Sequence, residues 1–400
     1  MHSWWNRWGA VASTIGARLL AAGLQGVILL TLARLLGPSA FGGFATVFSI
    51  AGYLGIVLGA GLTPMALRIA RQGPEARELA AHAVYFGAAI STVVVTLSLS
   101  VGALVFRPDA PLLSLAAALL AVTEGFGQLV ESAAFGLQRH DRAQRSVICR
   151  RLLVLAGVVV AWFTETSPLT WVSFASVVAL VTTPLWLFGL VEFRSRPSTK
   201  VLRLARGFWA PNAIKFEGLD MAVASAVLSA APLGLYAAAA RITSPLNIAT
   251  SSFLSIYTPR MAAAEDVPAE EKVFIEARRA LLIVGLALMI ASPALAWFLQ
   301  LVLGADFDGL SLLIVIVVLS VAVGAPAQAY TARLYARNLT REVLKARALS
   351  VSAGLASVAF LGAIWGATGA TFSVLVFQVI HLAALACAGR GLSSAPSSDA

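Results

Sequence analysis

Residues 34–68 read RLLGPSAFGGFATVFSIAGYLGIVLGAGLTPMALR, and this stretch decides the fold. Two long apolar segments meet across Gly37-Pro38-Ser39, a turn so short that the segments must be successive helices of one layer. An altered copy begins near Leu228. There Leu233, Gly234 and Tyr236 fall opposite Phe41, Gly42 and Phe44, and Thr258-Pro259 falls opposite Thr63-Pro64. A repeat at that separation predicts a chain built from two similar halves.

Outward from this stretch the same apolar character continues. Of the 400 residues 59% are hydrophobic and 12% charged, and the mean hydropathy is +0.86. Soluble domains carry about 25% charged residues, so the surplus apolar surface needs lipid as its solvent. Apolar runs of about 20 residues recur along the whole length, each able to cross a hydrocarbon core of roughly 30 Å as a helix. The run from Ala10 to Ala33 is too long for a signal-peptide core of about 7 to 15 residues, and it carries Arg18 and Gln25.

Apolar runs set against flanking charges predict an all-α polytopic membrane protein with twelve transmembrane helices. In the first half these lie at 10–34, 41–66, 80–106, 111–136, 147–164 and 168–192, and in the second at 208–231, 234–260, 279–303, 309–334, 343–364 and 367–388. The expected organisation is a six-helix lobe over 1–195, a basic cytoplasmic linker over 196–206, a second six-helix lobe over 207–390 and a disordered tail over 391–400. Each lobe holds an even number of spans. They should therefore be related by a pseudo-twofold axis along the membrane normal.

The net charge of +10 belongs to topology rather than to nucleic-acid binding. With the N-terminus in the cytoplasm, all but Arg18, Arg34, Arg107, Lys215 and Arg241 of the 29 lysines and arginines fall on the cytoplasmic side. The C-terminus is expected there too. Cys149 and Cys387 lie far apart, and the four histidines are scattered, so neither a disulfide framework nor a metal site is indicated. Sequences for phosphate-loop, nucleophile-elbow or zinc-protease chemistry are absent, and no cofactor is expected.

Four fragments carry a family resemblance: ARLLGPSAFGGF (33–44), PLGLYAAAARI (232–242), VLGADF (302–307) and WGATGAT (365–371). In order and spacing they resemble the Wzx-type polysaccharide or oligosaccharide flippases of the MOP superfamily, over nearly the whole chain. Two departures stand out. Asp220 is followed by Met221 where the family often has a basic residue, and RPDAP (107–111) in the first half answers GADFDG (304–309) in the second. The resemblance implies a bacterial inner-membrane flippase without enzymatic activity, moving a polyprenyl-pyrophosphate-linked oligosaccharide to the outer leaflet. Its partners would be that lipid-linked glycan, the membrane lipids and other polysaccharide-assembly proteins, with no nucleic acid.

Ionisable groups at membrane depth cost about 2.5–3.5 kcal/mol each on insertion scales, so they face partners or wet cavities. On the fourth helix Glu124, Gln128 and Glu131 share one face. They either line a transport cavity and exchange a proton, or pair with an arginine of a neighbouring helix. Arg18 and Gln25 share a face of the first helix. Arg18 either meets a phosphate or sugar acid, or neutralises Glu124 or Glu131. The seventh helix carries Lys215, Glu217 and Asp220, bracketed by Pro211 and Gly218, which is consistent with a broken helix near a site. By the resemblance, the first, second, seventh and eighth helices line the space between lobes, which would aim Arg18, Lys215 and Arg241 at one cavity suited to an anionic cargo.

Blander roles suit other polar residues. Gln328, Gln378 and His381 read as interhelical hydrogen bonders, Arg34 and Arg107 as snorkelling side chains, and the cluster Arg139 to Arg151 as a topology determinant. Two other functions compete with flipping. A cation-coupled drug exporter of the same superfamily would need more acidic residues at the cavity. A glycan polymerase or ligase would need a large outer loop.

Overall fold

The structure is a computed structural model that describes residues 2–59, 61–69, 74–106, 111–137, 139–164, 166–191, 198–209, 213–337 and 339–390. Side chains of 2–15, 18–19, 68–69, 74–76, 103–106, 207, 242–245, 247–249, 251–252, 254–256, 259 and 390 are outside this description. The tail 391–400, Pro211 and Arg107 therefore lie outside the described residues, as does the Arg18 side chain.

Thirteen helices make up the described chain: α1 (His2–Leu58), α2 (Leu62–Ile69), α3 (Pro74–Phe106), α4 (Pro111–Gly136), α5 (His140–Thr164), α6 (Pro168–Thr182), α7 (Lys200–Ala205), α8 (Leu219–Val227), α9 (Ala230–Ala262), α10 (Val267–Leu303), α11 (Leu310–Gly324), α12 (Ala327–Ala336) and α13 (Thr340–Arg390). A 3₁₀ turn, Thr183–Leu187, prolongs α6. Prolines open several of them, because the first turn has no acceptor for an N–H and the ring presets φ. At α10 this is sharpened by Asp266, whose carboxylate accepts the Ala269 N–H at 2.7 Å.

Two of these helices are too long for one crossing. At 1.5 Å per residue α1 and α13 would run about 85 and 76 Å against a core of about 30 Å, and each is interrupted by one glycine. Gly37 sits at φ 70°, ψ 168° and Gly366 at φ 61°, ψ −140°. Only glycine enters that region without strain. Both glycines belong to the family-like fragments, and so does Gly304 (φ 86°) in VLGADF. Three of the four fragments therefore hold helix junctions, and the fourth, 232–242, lies within α9. Among the described residues, eight helical stretches are long and apolar enough to cross a membrane, two of them being these double-length runs. With α9 and the broken segment around α8, this fits a twelve-helix transporter fold.

The chain divides into two compact units, one of residues 1–213 and 217–222 and the other of 214–216 and 223–400. In the first unit α4 is the hub, packing against α1, α2, α3, α5 and α6. Its span is 78% buried, whereas the flanking spans are 22–50% buried. A cluster including Met65, Ala81, Leu129, Val130, Ala133 and Leu187 closes one end of this bundle. Close approach is bought with glycine at Gly157, where an added Cβ would stand 2.7 Å from Ala175 Cβ and 2.8 Å from the Trp171 carbonyl oxygen.

In the second unit the hub is Leu310–Ala336, 72% buried and packed against α9, α10 and α13. Gly285 plays the corresponding part, its missing Cβ lying 2.8 Å from the Ala322 carbonyl oxygen. The halves repeat down to individual bonds. Leu137, Arg139 and Ala143 donate their N–H groups to Ala133, Ala134 and Arg139, and 200 positions later Arg337, Leu339 and Val343 donate to Arg333, Leu334 and Leu339. The paired residues Phe41 and Leu233, and Phe44 and Tyr236, are all buried.

Several expected boundaries move. The second span ends at Leu58, and after Gly61 (φ 81°) a separate helix runs from Leu62 to Ile69. The fifth begins at His140 rather than 147 and the ninth at Val267 rather than 279. Hydropathy marks where lipid begins, whereas the helix continues into water. Part of the expected linker, Lys200–Ala205, is helical, with Val201 and Ala205 buried.

Candidate functional site

The deepest charged cluster of the first unit grows out of α4 and α5. Glu124 is buried at the middle of the hub, and its Oε2 accepts from Arg150 Nη2 at 3.3 Å and from Arg151 Nη2 at 3.2 Å. Arg150 is 2% exposed. Room for its guanidinium is made by Gly127, where a Cβ would overlap the group. Beside the cluster, Thr123 Oγ1 donates to the Leu119 carbonyl at 2.7 Å and reaches the Ser176 carbonyl at 3.1 Å, tying α4 to α6. The three residues of the α4 face part company here. Glu124 is enclosed, Glu131 half-buried and Gln128 exposed.

The seventh span is broken. Ile214 and Lys215 lie outside any helix, Phe216 to Gly218 form a turn, and α8 starts only at Leu219. Asp220, 5% exposed, holds the break by accepting the Gly218 N–H on Oδ1 at 2.8 Å. Gly218 has φ 99°, and its missing Cβ would stand 3.1 Å from the Ser49 carbonyl oxygen and 3.2 Å from Tyr53 Cβ. Tyr53 Oη in turn donates to the Ala213 carbonyl at 3.1 Å, and Trp209 Nε1 to the Val57 carbonyl at 2.8 Å. The second span thus gives a donor to the backbone before the break, from Tyr53, and offers an acceptor, the Val57 carbonyl, to Trp209. Lys215 is half-buried and Glu217 exposed.

In the second unit Phe216 stacks on Phe377 at 4.7 Å, over Gly354. Phe377 stacks on His381, whose Nδ1 lies 3.2 Å from Ser350 Oγ. Gln378 packs on Gly324. Arg241, half-buried on α9, and Gln25, half-buried on α1, complete the residues expected at a substrate site. Another ionic cluster joins α10 to α12. Arg333 Nε lies 2.8 Å from Glu270 Oε1, Arg337 Nη2 2.8 Å from Glu270 Oε2, and Arg333 Nη2 2.7 Å from Glu271 Oε2. Among the described residues no group of three or more metal-ligating side chains occurs.

Residues 8–265 match the family described as polysaccharide biosynthesis protein. The chain belongs to that family. No curated protein matches it in sequence. Among solved structures it is similar to an inward-facing multidrug resistance MATE family transporter of the MOP superfamily, with TM-score 0.73, 16% identity and 94% of each chain covered. It is also similar to the lipid II flippase MurJ in an inward closed conformation, with TM-score 0.73, 12% identity, and 95% of this chain and 87% of that one covered. A third similarity is to a MOP superfamily transporter from Pyrococcus furiosus described as having a binding pocket of reverse polarity, with TM-score 0.61, 16% identity, and coverage of 96% and 95%. The fold is that of the MOP transporters, and the chain is a multi-pass membrane protein. Both findings agree with the resemblance to Wzx-type flippases, a family of transporters rather than enzymes.

For this polysaccharide biosynthesis protein the residues missing from the sequence reading are Arg150 and Arg151. They stand in a run of arginines that looks like a cytoplasmic flank. Because α5 begins at His140, they lie about 15 Å along it, level with Glu124. A helix-periodic extension through residues 140–146 would have revealed this. Arg333, 4% exposed beside Glu270, was likewise sorted with the cytoplasmic charges.

Proposed function

We propose that this chain flips a polyprenyl-pyrophosphate-linked oligosaccharide from the inner to the outer leaflet of a bacterial inner membrane. It works by alternating access of its 1–195 and 207–390 lobes, with both termini in the cytoplasm. The observation that carries the reading is the interrupted seventh span of a polysaccharide biosynthesis family member, with Lys215 in the non-helical segment. Irregular backbone at membrane depth is tolerated where it lines a cavity or is held by protein, and such breaks bind substrates in transporters. Lys215, Arg241 and Arg18 attract the pyrophosphate, whose oxygens take charge-assisted hydrogen bonds. Gln25 contacts the sugar, and the polyprenyl tail stays in lipid.

The carboxylates divide in role. Glu124, already accepting from two arginines, acts in charge pairing, and Asp220 holds the break. Glu131, Gln128 and Glu217 serve in coupling or charge pairing. In a deletion strain complemented with Arg18→Ala, Lys215→Ala or Arg241→Ala, surface polysaccharide should fall at least severalfold while the lipid-linked oligosaccharide accumulates on the inner leaflet. Wild-type polysaccharide with all three variants would contradict the assignment.

A further inference from the structure

The described part of the expected linker is not a free loop. Lys200–Ala205 (α7) runs into a 3₁₀ turn, Arg206–Phe208, and the two lie across one end of the first unit's bundle. Val201 and Ala205, one helical turn apart, are buried in the same cluster as Leu62, Met65 and Leu187, and Leu202 and Phe208 pack against it. The approach is closest at Gly61, where an added Cβ would stand 2.5 Å from the Ala205 carbonyl oxygen and 2.9 Å from Phe208 Cβ. Trp209 fastens the far end through its bond to the Val57 carbonyl. The segment is a strap held down on the bundle.

Its outer side mixes two chemistries. Arg203 and Arg206 are exposed, and so are two large apolar side chains next to them, Leu204 at 45% and Trp209 at 43%. Among the described residues neither arginine has an ion-pair partner. The α2 helix beneath carries no carboxylate, and Glu78 of α3 lies 3.9 Å from His82 Nε2. Water alone would not favour an exposed leucine and tryptophan, and hydrocarbon would not accept the guanidinium groups. The headgroup boundary of a bilayer satisfies both, with apolar side chains at the acyl edge and cations among phosphates. Lipid-facing surface also reaches this level of the unit, because Leu185 and Phe188 are exposed on either side of Leu187, which is buried in the cluster under the strap.

We propose that this strap is a membrane-surface anchor that binds the headgroups of anionic phospholipids through Arg203 and Arg206, with Leu204 and Trp209 set into the acyl edge. Phosphate oxygens take charge-assisted hydrogen bonds from the two guanidinium groups. A zwitterionic headgroup offers the same phosphate with its own cation beside it, so the pair of arginines selects for net negative charge. The site is independent of the flipping assignment and of the side of the membrane on which the strap lies.

The test uses the full-length protein carrying Cys149→Ser, Cys387→Ser and Leu204→Cys, labelled at position 204 with a bimane fluorophore. It is placed in nanodiscs of phosphatidylglycerol and phosphatidylcholine, one of which bears a nitroxide quencher near the headgroup. At equal mole fraction, quenching from phosphatidylglycerol should exceed that from phosphatidylcholine by about twofold or more. Arg203→Gln with Arg206→Gln should remove the preference, whereas Arg279→Gln with Arg341→Gln, which takes the same charge from the second unit, should keep it. Inorganic phosphate, compared with chloride at equal ionic strength, should leave it unchanged. No quenching from either lipid, equal quenching from both, a preference that survives Arg203→Gln with Arg206→Gln, or one lost in the second-unit variant or in inorganic phosphate would each overturn the proposal.

Discussion

At the scale of single residues, buried charge dominates the energetics. Exchanging a buried ion pair for apolar residues is often neutral, whereas deleting one partner strands the other and costs about 3–5 kcal/mol. Glu270→Ala strands Arg333 and Arg337 with only Glu271, so a loss of that size is expected, measured by thermal or denaturant unfolding in detergent. A variant within about 0.5 kcal/mol of wild type would show the cluster to be dispensable. Glu124 was legible as a membrane-depth carboxylate needing either a cavity or an arginine. Its partners were not, because Arg150-Arg151 at the end of a basic run carries the same composition as a loop. Only the onset of α5 at His140 separates a flank from an interior pair.

At the scale of elements, short glycine interruptions decide where spans begin. The junction at Gly37 was plain from Gly-Pro-Ser between apolar runs, and the break before α8 was suggested by Pro211 and Gly218. How the break is held was not readable, since it depends on Tyr53 and the Val57 carbonyl of the second span. At Gly218 both φ and the neighbouring Ser49 carbonyl exclude a branched side chain. Gly218→Val should therefore reduce folded protein in the membrane, while Tyr53→Phe, which removes one hydrogen bond, should cost only about 0.5–1.5 kcal/mol. Fluorescence-detected chromatography of tagged variants checks both. A Gly218→Val protein as abundant and monodisperse as wild type would argue against the strained break.

At the scale of the whole molecule, a repeat of about 200 residues is visible in both sequence and bonding. Three of the fragments that looked like a diffuse family pattern, those holding Gly37, Gly304 and Gly366, are helix junctions. The repeat was faint in sequence because packing needs only small and apolar residues at equivalent places, so identities drift while burial persists. The proposed orientation rests on the charges. In a cysteine-free background, a cysteine at Asp306 should react from outside with a membrane-impermeant maleimide, and one at Glu265 should react only after permeabilisation. The reverse pattern would invert the orientation and the direction of transport.

The most direct test of the flippase reading is translocation by the purified protein in liposomes. A polyprenyl-pyrophosphate-linked oligosaccharide in one leaflet is followed by its accessibility to a glycan-modifying enzyme on the other side. Wild-type protein should make the glycan accessible well above protein-free liposomes, and Lys215→Ala or Arg241→Ala should slow this at least tenfold. Accessibility equal to protein-free liposomes, from protein shown to be folded, would contradict it.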